Sequence, residues 1–167
     1  LGPGESVTDT FAYAVSDGHG GTAASTLTLA INGTNDAPTV GTASASIGEE
    51  AAGPANALSG LLPTPYDADI RDTVSFVPQT NRAGTWGTLT LRADGTYTYA
   101  LTDSAALHSL GAGQIAYDTF AYTVADNHGA SVTNTLTITV IGVNDAPSVA
   151  SATASVQEDT LLTASGI

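Results

Sequence analysis

The chain has no cysteine, no methionine and no lysine; its only basic residues besides three histidines are Arg71, Arg82 and Arg92. Without cysteine there is neither a disulfide framework nor a thiolate metal site. With so few cations against 16 Asp and Glu, the formal net charge over 167 residues is −13. Phosphate backbones and anionic headgroups would repel such a chain, so nucleic acid and membrane surfaces are poor partners. Long apolar runs are missing too. None approaches the roughly 18 residues of a membrane span, and no signal-peptide pattern is visible. Aromatics are sparse, which leaves only Trp86 and Tyr66 as candidates for an exposed sugar-stacking platform.

What is present is an alternation of apolar and polar residues, with 42% of the chain hydrophobic. Acidic chains of low hydrophobicity stay disordered; this pattern instead predicts a fold. The chain also repeats itself. The stretch from Leu1, LGPGESVTDTFAYAVSDGHGGTAASTLTLAINGTNDAPTV, aligns without a gap on that from Leu110, LGAGQIAYDTFAYTVADNHGASVTNTLTITVIGVNDAPSV, a period of 109 residues. A period that long equals a whole domain rather than a solenoid turn. The organisation expected is the end of one repeat (1–37), one complete repeat (38–146) and the start of a third (147–167). The chain then reads as a window cut from something longer.

The complete repeat predicts seven short strands, over 39–47, 57–62, 73–77, 86–91, 96–101 and around Phe120–Val124 and Leu136–Val140. The turn Asp94-Gly95 is a hairpin signal. One short helix is expected over 104–110, with Asp103 or Ser104 at its start and Gly111 at its end. Phe11, Tyr13 and Val15 are expected in the core, as are their repeat partners Phe120, Tyr122 and Val124. The fold class is all-β: tandem immunoglobulin/cadherin-like Greek-key β-sandwich modules.

If successive strands alternate in direction, each loop is assigned to one end of the module. Asp67, Asp69 and Asp126 fall at the upper end, where Glu5, Asp9, Asn35 and Asp36 arrive from the preceding repeat. Glu49, Glu50 and Asp118 fall at the lower end with the outgoing linker residues Asn144 and Asp145. Two unit charges 4 Å apart repel by about 1 kcal/mol in water and about 4 kcal/mol at an effective dielectric near 20. Carboxylates gathered from two repeats therefore predict a shared cation. Calcium takes 6–8 oxygen ligands in flexible geometry, whereas magnesium keeps its water and demands an octahedron. Softer metals find no cysteine, and the three histidines are widely spaced. His19 and His128 hold the same turn position in the two repeats, and His108 lies at the opposite end, so no nucleophile–base pair emerges and no enzyme is expected. The Gly-rich run 17–21 reads as a hairpin loop, not a phosphate cradle.

The runs GTWGTLTLRADGTYTYAL (84–101) and LGAGQIAYDTFAYTVADNHG (110–129), closed by GVNDAP (142–147), resemble the VCBS-type repeat of giant bacterial adhesins and RTX-type surface proteins. The linker Asn35-Asp36-Ala37-Pro38 and the loop Asp67-Ala68-Asp69 resemble cadherin calcium motifs, while the acidic cadherin motif before the penultimate strand is absent; Glu5 and Asp9 stand there in the first repeat and Gln114 and Asp118 in the second. The resemblance implies a calcium-stiffened extender on the cell surface or outside it, exported by type I secretion and serving adhesion or biofilm formation. Its expected partners are neighbouring repeats, with strand pairing or fibre assembly between chains as a further expectation. A carbohydrate-binding sandwich is the alternative.

Overall fold

The computed structural model describes residues 1–51, 57–147, 149–153 and 155. Ten strands occur among them. β1 (Ser6–Ser16) and β2 (Thr22–Asn32) form an antiparallel hairpin by themselves. Eight more, β3 (Ala43–Gly48), β4 (Leu58–Leu61), β5 (Ser75–Phe76), β6 (Gln79–Ala83), β7 (Gly87–Leu91), β8 (Thr96–Leu101), β9 (Ile115–Ala125) and β10 (Ser131–Ile141), build two four-stranded sheets. One has the order β3-β10-β9-β5 and the other β4-β8-β7-β6. Pairing is antiparallel throughout except between β3 and β10, which run parallel over six residues from Leu136↔Ala43 to Ile141↔Gly48.

Strict alternation makes the sandwich. Leu89, Leu91, Tyr97, Tyr99 and Leu101 point inward from one sheet, and Phe120, Tyr122, Val124, Leu136, Ile138 and Val140 from the other, all buried. The sheets meet through aromatic contacts, with the Tyr99 and Phe120 rings 5.9 Å apart edge to face. Fully burying side chains of this size contributes about 1.5–3 kcal/mol each. The Tyr122 hydroxyl donates to the Gly41 carbonyl, tying the segment before β3 to β9.

Three expectations are revised. The third strand is divided: β5 covers only Ser75–Phe76 of the expected 73–77, and the chain then passes Val77 and Pro78, changes sheet, and continues as β6 on β7. Val77 N–H still bonds Thr123 in the first sheet, whereas proline has no N–H to leave unpaired at the crossing. β6 is polar and exposed along most of its length, so no hydrophobic alternation announces it. The helix expected over 104–110 is only a 3-10 turn, Leu107–Ser109. Ser104 does accept the Leu107 N–H through its hydroxyl. A stretch this short has too few hydrogen bonds to sustain a helix, and Leu107 is its one buried anchor.

The third revision concerns the first hairpin. β1 and β2 carry the register of β9 and β10 displaced by 109 residues, end to end. Yet Phe11, Tyr13 and Val15 are 49%, 52% and 59% exposed, where Phe120, Tyr122 and Val124 are at most 1%. The apolar face of β9 and β10 is covered by β4, β8, β7 and β6, whereas among the described residues β1 and β2 form a two-stranded sheet by themselves.

Candidate cation site at the junction

The linker 33–38 brings the hairpin onto the loops of the sandwich. Pro38 is fully buried, and Thr39 pairs with Tyr66 through two backbone hydrogen bonds of 2.7 and 2.9 Å. This fixes the linker beside the loop 67–72. The Asp36 N–H donates to Asp69 Oδ2 at 2.8 Å, and the Asn35 side-chain amide donates to Asp126 Oδ2 at 2.9 Å. From the hairpin side, Gly2 lies against the Asp69 carboxylate so closely that a Cβ there would stand 3.2 Å from Cγ. Glu5 accepts the Gly2 N–H and pairs with Arg71 at 2.9 Å. Gly2, Glu5, Asp69, Arg71, Asp72 and His128 line one cleft of ≈ 230 Å³.

The loop 67–72 is turned on itself. Asp67 Oδ1 accepts the Asp69 N–H, and Asp72 N–H bonds the Asp69 carbonyl. Carboxylate oxygens of Asp67, Asp69 and Asp72 thereby lie within 4.8 Å of one another. Asp72 was not singled out in the sequence; the turn that folds it back is what brings it in. His128 contacts Asp72 at 3.0 Å, and that carboxylate raises the imidazole pKa. Asp126 uses Oδ1 to accept the His128 and Ala130 N–H groups, closing the β9–β10 turn. Asp17 does the same with His19 and Gly21 in the first hairpin. The Asp126 pKa is lowered, first by the Asn35 amide and then by those backbone donors.

Three buried acceptors here have no donor among the described residues: Asn35 Oδ1, Asp67 Oδ2 and Asp69 Oδ1. A buried acceptor left without a partner costs about 1–3 kcal/mol, and more when charged. These oxygens come from the linker and from the loop it crosses. Oxygen donors alone, several of them anionic, suit a hard divalent cation.

Not every candidate gathers at this junction. Asp9 lies within β1, its Oδ1 accepting only the neighbouring Thr10 N–H. Its repeat partner Asp118 is buried inside the sandwich. There it accepts the backbone N–H groups of Thr85, Trp86 and Gly87 and the Tyr99 hydroxyl, at 2.7–3.1 Å. Gly84 allows this approach, because a Cβ at that position would collide with the Asp118 carboxylate. Burial first, and then the Asp118 bond, raises the Tyr99 pKa. At the lower end Glu49 is 1% exposed and accepts the Val143 N–H, whereas Glu50, Asn144 and Asp145 are exposed. Gln114, where Glu5 stands in the first repeat, keeps the bond to its own turn, accepting the Gly111 N–H, but brings no charge.

Two packed sheets, one of them containing a parallel first–last strand pair, with an acidic linker seated on an Asp-X-Asp loop, define a cadherin-like sandwich module. The bacterial cadherin-like domain family matches residues 35–142, and the chain belongs to that family. A search of curated proteins gave no significant match.

Proposed function

We propose that the chain is an extender segment of a large extracellular bacterial adhesin, in which calcium bound between repeats converts a mobile joint into a stiff one. The reading is carried by the three donorless buried oxygens where the linker crosses the loop 67–72. Asn35, Asp67, Asp69 and Asp72 would hold the ion, with Asp36, Asp126 and Glu5 around it. Calcium would supply only charge neutralisation and cross-linking. The chain itself positions the oxygens, through the Asp36–Asp69 and Asn35–Asp126 hydrogen bonds. Without a cation, clustered carboxylates repel across the joint.

Family membership supports a structural, surface-exposed module of the extender type. The resemblance to VCBS-type repeats supports tandem neighbours of the same kind as its partners, export by type I secretion, and a role in adhesion or biofilm formation. Trp86 packs against the core, which weakens the carbohydrate-platform alternative.

The test is calcium titration followed by calorimetry and small-angle scattering. Calcium should raise the melting temperature and lengthen the particle. Replacing both Asp67 and Asp69 by Asn should remove most of that shift, since extracellular calcium sites of this kind bind at about 10⁻⁴–10⁻³ M and have little affinity to spare. A double variant that responds to calcium as the parent does would refute the assignment.

A further inference from the structure

A second cluster lies at the other end of the sandwich, away from the linker at Pro38. Glu49 follows β3, His108 sits in the turn between β8 and β9, and Asp145 belongs to the outgoing linker. One ligand atom from each lies within 4.8 Å of the others. Glu49 is 1% exposed; its Oε2 accepts the Val143 N–H, but its Oε1 is buried with no hydrogen-bond partner among the described residues. That orphaned oxygen faces His108 Nδ1 at 3.7 Å. The separation is too long for a hydrogen bond. It is close to the spacing of about 3.3 Å between two ligands held 2.0–2.1 Å from one tetrahedral ion.

The other ring nitrogen is already committed. His108 Nε2 lies 2.7 Å from Asp103 Oδ1. With the ring proton on Nε2 and donated to Asp103, the Nδ1 lone pair is turned toward the Glu49 carboxylate. In that tautomer two electron-rich atoms face each other 3.7 Å apart. A carboxylate that takes the far N–H of an imidazole is also the arrangement that orients a metal-ligating histidine.

We propose that Glu49 Oε1, His108 Nδ1 and Asp145 form a divalent-metal site of mixed nitrogen and oxygen ligation, selective for zinc-class ions and distinct from the oxygen-only cluster of Asp67, Asp69 and Asp72 at the other end of the sandwich. Imidazole favours zinc and its neighbours in the first transition row, whereas calcium and magnesium take oxygen. Asp103 is a positioning residue that fixes the tautomer and the ring. Because Asp145 lies on the linker, the ion would pin the outgoing chain to the end of β3 and to the β8–β9 crossover. The site holds three protein ligands and leaves a position for water.

The experiment titrates the whole chain, stripped of metal, with zinc and then with cobalt(II) in buffer containing millimolar calcium. One equivalent of zinc should bind despite the calcium, and cobalt should give an intense visible absorption band, the mark of a low-coordinate site, that depends on His108. Glu49 is buried and its loss can disturb the fold, so half-exposed His108 carries the test. His108→Gln should weaken zinc binding at least tenfold and abolish the cobalt band. Asp103→Asn should weaken zinc binding by about 10- to 100-fold. His128→Gln, at the far end, and the Asp67/Asp69 double variant should leave the zinc titration unchanged, so failure of the calcium reading leaves this one standing. Zinc binding that survives His108→Gln, disappears with His128→Gln, or is competed away by calcium overturns the proposal.

Discussion

Asp118 shows how differently one acidic residue can serve in two settings. In the complete repeat its carboxylate gathers three backbone N–H groups and a tyrosine hydroxyl, so that a single side chain holds β9 to the turn before β7 and to β8. Hydrogen bonds to a charged group contribute about 1.5–3 kcal/mol each, and removing the carboxylate strands buried donors besides. Asp118→Ala should therefore cost at least about 3 kcal/mol, and Tyr99→Phe about 1–2 kcal/mol, measured by chemical denaturation. Asp9→Ala, in the same register position but exposed, should change stability by less than about 0.5 kcal/mol.

Asp94 permits a pH test at the same scale. It accepts the Thr96 hydroxyl and N–H, and these bonds lower its pKa from the ordinary 3.8. A carboxylate with a lowered folded pKa stabilises the fold above its unfolded value. That contribution disappears as the pH falls from 3.8 through the folded value. Asp94→Ala should accordingly be less stable than the parent near neutrality, and the gap should narrow on acidification below 3.8. Denaturant melts along that pH series check it. The composition of these loops made their carboxylates visible in the sequence, but not their company. Asp67 and Asp69 stand out as Asp-X-Asp; Asp72 does not, because what brings it beside them is a turn. Nothing local distinguishes Asp118, which waits on donors more than 30 residues earlier.

The strands with regular alternation, β7 to β10, were legible as elements because each buries every second residue against the opposite sheet. β6 escaped because an exposed edge strand needs no apolar face. The expected helix failed for the converse reason: a plausible cap and one buried leucine do not sustain two turns. The hairpin β1–β2 separates pattern from burial most plainly, since it has the alternation of β9–β10 without their cover. Phe120→Ala should cost about 3–5 kcal/mol of sandwich stability. Phe11→Ala should leave the main unfolding transition in place and reduce binding of an apolar dye such as ANS. A common effect of both substitutions would mean the hairpin face is covered in solution.

Across the whole molecule, the assignment of loops to the two ends rested on alternating strand direction, and an unforeseen extra strand threatened it. The alternation survives because β5 and β6 are one bent strand that changes sheet at Pro78 without turning back. The loops at 67–72 and 126–130 accordingly meet the incoming linker, while Glu49 and the segment at 103–109 meet the outgoing one. The 109-residue period is readable from the sequence alone, and the β1–β2 pairing matches the β9–β10 pairing residue for residue at that offset.

The parallel pairing of β3 with β10 has a mechanical consequence. The first and last strands of the sandwich lie side by side and point the same way, with one linker leaving each opposite end. Tension along a string of such modules pulls these two strands past each other lengthwise, straining their shared backbone bonds together instead of peeling them one at a time. Single-molecule stretching should find a high rupture force for this geometry. A proline at Thr139, placed to delete part of that ladder, should lower the force by a larger fraction than it lowers thermal stability.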